Sequence, residues 1–441
     1  MKNTNQLWTF FASVRLAIFT LCALSLTSII GTIIPQGESF SRHIDEYNPV
    51  FAKFLLVLDI PNMYSSWWFL GLLGILCANL IICSIDRFPT SWRLITADQL
   101  ALSPERIGRM DHQESWSLNA SLSETAQSLR ERLDKAGWQT SIRENAAGLL
   151  IFSQKGAWSR LGVYLVHLSI LLIFVGAVIG NFLGFKGSVM IPETESTDKV
   201  FASGSAQPLD LGFEIRCDAF DIEFYPNGMP KEYRSRLTVR EKGKDVRQED
   251  IEVNKPLSYK GITFYQSSYE GYKDFLLKFT DPTDRTTKTF KALYQQESTW
   301  PEKSLRFGVI NAETKGNQIF RTKIWLQDKT QQPSIFWLET GKEAEIKIQG
   351  KTFLLSVKQM YATGLQVAKD PGVWLVYSGC VMMLVGLYVA FFLSHRRVWL
   401  ILRQDADNAT TVLLAASANK NKTGFTSVFA QLNELLRASK G

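Results

Sequence analysis

The chain has 441 residues, 46% of them hydrophobic, and a formal net charge of +7. The apolar residues are gathered into four blocks separated by ordinary polar sequence, which excludes a simple soluble globule. The positive charge forms no single patch with interleaved aromatic residues, which argues against a nucleic-acid partner.

The four blocks, 12–34, 66–85, 161–183 and 372–393, are nearly free of charge. Each reaches the roughly 20 residues that a helix needs to cross hydrocarbon. Lipid cannot satisfy open backbone groups, so four transmembrane helices are predicted. The first block is too long for a secretory leader and lacks a small-residue cleavage site, which predicts a retained helix. Lys2 and Arg15 precede it, and Arg87 and Arg93 follow the second block. Lys155 and Arg160 precede the third, and Arg396 and Arg397 follow the fourth. The excess of Lys and Arg predicts a cytoplasmic N-terminus before helix one within 1–34, a cytoplasmic 86–160 and a cytoplasmic tail, 394–441. Segments 35–65 and 184–371 then lie outside the cytoplasm.

In 35–65, Phe51, Phe54, Leu55 and Leu58 recur at helical spacing, predicting a short amphipathic helix within 44–60. It either lies on the membrane surface or walls a binding site for a partner or apolar ligand. Tyr64, Trp67 and Trp68 mark the outer interface. Segment 86–160 reads as a small α/β unit. It has a helix over 122–136, capped by Ser121 or Ser123 and stopped at Gly137, and a hairpin around Asn145–Gly148. Segment 184–371 alternates with a period of two and is punctuated by Pro226–Asn227–Gly228, Lys242–Gly243–Lys244, Asp281–Pro282 and Gly341. This predicts an all-β domain, either sandwich or open barrel. The fold class is therefore an α+β membrane protein, with four helices and a large extracytoplasmic β domain between the third and fourth. In the tail, 425–437 has the spacing of an amphipathic helix.

Chemistry-bearing residues are scarce. The histidines are His43, His112, His167 and His395, and 184–371 contains none. Its single cysteine, Cys217, reads as a small residue buried on a strand, and no Cys-x-x-Cys motif occurs. Hydrolytic or redox catalysis by that domain alone is disfavoured. His167 stands inside the third block, where an ionisable residue is costly and faces a bundle interior or a functional cavity. It either bonds to a neighbouring helix or ligates a group such as haem iron. It lies about six residues into the span, or roughly 9 Å. Gly176, Gly180 and Gly184 form two G-x-x-x-G steps, a packing ridge. At about 100° per residue, Gly176 is some 180° around the helix from His167. A bis-histidine site would need its second ligand from another chain. His395 reads as the solvated end of helix four. Arg15, Arg396 and Arg397 read as topology anchors, with a haem propionate as the alternative partner of one of them.

Three motifs occur in order: FFASVRLAIFTLCALSLTSIIGTIIPQ; LGFEIRCDAFDIEFYPNGMPKEYRSRLTV with IEVNKPLSYKGITFYQSSY; and DPGVWLVYSGCVMMLVGLYVAFFLSHRRVWL. With them the chain resembles the ResB (CcsB) family of System II cytochrome c biogenesis proteins over nearly its whole length. The resemblance implies a complex with a ResC (CcsA)-type membrane partner that carries haem b outward and attaches it to the thiols of apocytochrome c. Thiol-reducing proteins would act on that substrate indirectly. The membrane implied is a bacterial inner membrane or a thylakoid-type membrane. His167 matches the third-helix histidine taken as an axial haem ligand, and the metal it would bind is the haem iron. No catalytic residue stands out, so the chain reads as a subunit of a cytochrome c synthase rather than an enzyme alone. The competing reading is a scaffold whose outer β domain binds apocytochrome or the partner without binding haem.

Overall fold

The computed structural model describes residues 5–34, 36, 49–98, 100, 103–145, 148–203, 207–226, 229–315, 318–329, 332–405 and 409–438. His43, residues 44–48 of the short helix expected before the second span, and the tips Asn227–Gly228 and 146–147 lie outside them. The described residues divide into two compact units. One holds the long helices, the stretch 97–161 and the tail; the other holds 180–371.

The first unit opens with α1 (Gln6–Phe11) and α2 (Val14–Ile33), separated by a break that Asn79 bridges. The buried Asn79 amide donates to the carbonyls of Phe11 and Ser13 at 2.6 and 3.0 Å. Then come α3 (Pro49–Val57) and α4 (Trp67–Thr96). The sequence placed the end of the second span at residue 85, yet α4 runs for 30 residues, about 45 Å. Asp86, Arg87 and Arg93 end the apolar run without ending the helix, and Pro89 is carried inside it. The two further long helices are α7 (Gly162–Leu183) and α8 (Val373–Phe392), reached after α5 (Pro104–Ile107) and α6 (Leu122–Lys135). Among the described residues four helices, α2, α4, α7 with its preceding turn, and α8, are long and apolar enough to cross a membrane. Leu24, Met63, Phe69, Leu76 and Leu80 pack α2 and α4 together, with Ile170, Leu171 and Phe174 of α7 against them.

The stretch after α4 supplies β1 (His112–Leu118), β2 (Gln139–Asn145) and β3 (Gly148–Lys155). Ser121 and Glu124 form a capping box at the start of α6, an arrangement worth about 1 kcal/mol. The sequence reading gave the tail no strands. In the structure it contributes two, which continue the same antiparallel sheet. Counting the 14 strands of the second unit first, these are β18 (Arg396–Gln404) and β19 (Thr410–Ala418), in the order β1-β19-β18-β3-β2. The tail ends in α9 (Lys422–Arg437), which covers the helix expected at 425–437. Helices α6 and α9 cover one face through Leu129, Leu133, Phe425 and Leu432 against Val398, Leu400 and Leu402. Leu100 and Ile107 cover the other against Phe152, Trp399 and Ile401. The central strand β18 is thus apolar on both sides, and neither the 97–161 stretch nor the tail completes a core alone.

The second unit contains β4 (Phe185–Pro192), β5 (Ser196–Ala202), β6 (Pro208–Phe224), β7 (Pro230–Glu241), β8 (Lys244–Ile251), β9 (Leu257–Tyr259), β10 (Ile262–Thr280), β11 (Thr287–Ala292), β12 (Glu297–Trp300), β13 (Leu305–Lys315), β14 (Gln318–Gln327), β15 (Ser334–Glu339), β16 (Glu343–Ile348) and β17 (Lys351–Lys369). Ten strands form one sheet, whose main path β11-β10-β17-β4-β5-β6-β7-β8 shows no pairing of its ends among the described residues; β12 to β15 form another. The 19-residue strands β10 and β17 pair from Ile262–Lys369 to Thr280–Leu354, with shifts at Gln266–Ser268 and Gly271–Phe275. Such bulges bend a ribbon. Here the two ends feed separate cores. Phe264, Leu365 and Val367 join Val200, Ile215, Phe220 and Leu237 in one; Phe275, Leu277, Phe279, Phe353 and Leu355 join Phe307 and Ile324 in the other. The buried Glu193 carboxylate is held by the amides of Phe220 and Tyr361 and by Lys358 Nζ at 2.8–3.1 Å, so its charge is compensated. Cys217 is fully buried on β6, and burial pushes its thiol up to about 12.

Candidate functional site

The faces of α7 are set by residue size. Gly162, Ser169 and Gly176 recur every seven residues and are its buried positions; Gly379, Gly386 and Ala390 are those of α8. A Cβ on Gly386 would stand 2.9 Å from Val166 Cγ2 and 3.0 Å from Val166 N. One on Gly379 would stand 2.6 Å from Ile173 Cγ1. Small residues let the backbones of paired membrane helices approach closely. The ridge expected at Gly176, Gly180 and Gly184 is met only at Gly176, which abuts Gly372 and Val376. Gly180 and Gly184 lie instead against Asp370 and the Lys369 carbonyl. On α7 the helix–helix seam follows a spacing of seven, not four.

His167 lies on the other side of α7, as its angular position predicts, and meets α4. Its Nδ1 is 2.8 Å from Ser84 Oγ, and Ser84 Oγ donates to the Leu80 carbonyl at 2.6 Å. With the hydroxyl proton directed to Leu80, Nδ1–H would be the donor in the pair. The lone pair then resides on Nε2, which has no hydrogen-bond partner among the described residues. An acceptor on one ring nitrogen fixes the tautomer of a ligating histidine and raises its basicity.

Below this pair runs an aromatic seam. Tyr164 Oη donates to Ser91 Oγ at 2.7 Å. Phe88 packs edge-on to Tyr164 at 5.3 Å and stacks with Trp92 at 5.7 Å, and Trp92 meets Trp158 at 5.9 Å. The sequence reading missed Ser84, Phe88, Ser91 and Trp92. Their spacing of four, seven and eight residues on one helix face is the signal that identifies them.

The remaining predicted residues do not gather at His167. Arg15 is exposed in the first turn of α2, where its amide donates to the Ser13 hydroxyl. Arg396 and Arg397 begin β18 opposite Lys155 and Gln154, and the Arg397 guanidinium lies 5.5 Å from the Trp399 ring. His395 differs most from its expectation. It is not a solvated helix end but fully buried. Its Nδ1 accepts from Arg160 Nε at 2.8 Å and its Nε2–H donates to Gln154 Oε1 at 3.0 Å. The Gln154 amide donates onward to the Ile95 carbonyl at 3.1 Å. Burial, with Arg160 and Arg397 close by, lowers the imidazole to about 4, so it is neutral. The pairing of β18 with β3 encloses it, a contact between positions some 240 residues apart.

Among the described residues, four apolar helices, with the histidine of one bonded to a serine of another, and a β-rich unit define a multi-pass membrane protein with one imidazole in those helices. A family model described as the ResB-like family matches residues 14–318 and 310–430, so the chain belongs to that family. It is similar to proteins named cytochrome c biogenesis protein CcsB. One from Synechococcus sp. (strain JA-3-3Ab) is 27% identical over 98% of this chain and 90% of its own length. One from Gloeobacter violaceus is 28% identical over 94% and 87%, and one from Prochlorococcus marinus is 25% identical over the full length of both.

Proposed function

We propose that this chain acts in cytochrome c biogenesis as a haem-handling membrane subunit. With a ResC/CcsA-type partner it carries haem b across the membrane and supports its attachment to apocytochrome c. The observation that carries the reading is the Ser84–His167 pair: an imidazole at membrane depth, its Nδ1 engaged by Ser84 and its Nε2 available to iron. One histidine supplies one axial position, so the second ligand comes from the partner. The names of the relatives support the role.

Strand pairing supports the proposed topology. Strand β18 of the tail pairs with β3 of the 97–161 stretch, so both lie on one side of the membrane. Trp8 Nε1 donates to Asp86 at 3.4 Å, which supports assigning α1 to that same side. In the proposed topology α7 crosses the membrane once, and 184–371 belongs to the other side. The clustered Arg and Lys support a cytoplasmic or stromal assignment for the former, and a periplasmic or lumenal one for the β region, in an inner or thylakoid-type membrane.

The test is purification of the full-length chain with its partner, comparing wild type with His167→Ala. The reading predicts a Soret band that falls sharply in the variant. Equal haem content in both would leave the scaffold reading in its place.

A further inference from the structure

A half-buried arginine at the edge of a membrane span needs a counter-charge, because an ion pulled out of water is costly unless paired. Arg160 is such a residue. It lies in the 3-10 turn Ala157–Leu161 that leads directly into α7. Among the described residues no carboxylate lies within ion-pair distance of it. Its observed acceptor is instead an imidazole, His395 Nδ1, at 2.8 Å through Nε. Since a guanidinium presents five N–H groups in a rigid fork, this bond uses one and leaves the Nη edge for a bidentate anion.

The position of that fork is constrained. His395 is itself locked by Gln154, and its backbone amide donates to Asn419 Oδ1 at 2.8 Å while its carbonyl accepts from Asn419 N at 3.1 Å. Arg160 precedes His167 by seven residues across the junction of the 3-10 turn with α7, a rise of roughly 10 Å along the axis. That offset is commensurate with the reach from the iron of a porphyrin to its carboxylates. Resting on the haem reading above, we propose that Arg160, its Nε fixed on His395, binds a propionate carboxylate of the haem whose iron His167 holds. Of the arginines suggested by sequence for this contact, Arg396 and Arg397 belong to β18 and Arg15 to α2, whereas Arg160 stands in the turn that leads directly into the helix carrying the ligand. Arg87 is the competing cation. It follows Ser84 by three residues on α4 but is exposed, with no contact that fixes it among the described residues.

The test uses the full-length chain with its membrane partner, stripped of haem and titrated with haem or with haem dimethyl ester while the Soret band is followed. A charge-assisted pair predicts that the wild type prefers the diacid by about tenfold or more. In Arg160→Gln the two porphyrins bind alike, at the affinity of the ester, and in Arg87→Gln the preference persists. The proposal is overturned if the wild type does not distinguish acid from ester, a comparison that needs no variant to fold. It is equally overturned if the preference survives in Arg160→Gln or vanishes in Arg87→Gln. Loss of a co-purifying acidic phospholipid from Arg160→Gln with the preference intact would assign the fork to a lipid headgroup and also overturn it. Failure of the haem reading itself looks different: neither porphyrin would bind in a manner that depends on His167, and the proposal would fall with it.

Discussion

Removing the Ser84 hydroxyl isolates the contribution of the second helix to the histidine site. In Ser84→Ala the Nδ1–H of His167 loses the acceptor at 2.8 Å, and Leu80 loses only a secondary donor to a carbonyl already engaged in the helix. An orphaned buried donor costs about 1–3 kcal/mol. The ring also loses the bond that selects the tautomer with Nε2 unprotonated. Partners of this kind, when removed from metal-binding histidines, typically weaken binding by about 10–100-fold. The predicted result is a drop of that order in haem affinity of the full-length complex, measured by Soret titration. Ser84→Thr, which retains the hydroxyl, should recover most of it. Unchanged affinity and an unchanged spectrum in Ser84→Ala would refute the claim that Ser84 orients the imidazole.

Two further perturbations separate packing from chemistry. Gly386→Ala forces α7 and α8 apart, because its methyl would sit 2.9–3.0 Å from Val166, whereas Gly74→Ala has nothing within 4 Å. Overpacking predicts a loss of about 1–3 kcal/mol for the first, read as a lower detergent-phase melting temperature, and none for the second. His395 titrates near 4 when folded, against an ordinary value of 6.5. Between those values the unfolded chain binds the extra proton, so stability falls as pH drops from about 6.5 toward 4, by up to roughly 3 kcal/mol. Substituting His395→Gln should flatten that part of the pH–stability curve; an unaltered slope would show that His395 is not the responsible group.

The legibility of this fold in its sequence follows the range of the interactions. Hydropathy located the four helices because desolvation of a 20-residue segment is a local property. It placed the end of the second span at 85, where the charges at 86, 87 and 93 end the apolar run, while the helix itself persists to Thr96. The alternating strands of 184–371 were readable, but not the way β10 and β17 serve two cores through their bulges. Strands β18 and β19 were missed because a strand buried on both faces reads as a continuous apolar run, without alternation. The same long-range pairing buries His395, which beside two arginines reads as solvated. At the site, helical periodicity was enough to put His167 opposite Gly176. The partner Ser84 lies 83 residues away and had to await the packing of α4 on α7. Cys217 was read as buried because its strand alternates, and it is.

The central claim is that His167 holds haem iron within the membrane. Its most direct test is the reduced-minus-oxidised spectrum of the full-length complex purified with its partner, from cells expressing wild type, His167→Ala and His167→Ala supplied with exogenous imidazole. Iron ligation by His167 predicts a low-spin haem spectrum in the wild type, its loss in His167→Ala, and its return as imidazole occupies the vacated position. A variant that retains the wild-type haem content and spectrum without imidazole would contradict it.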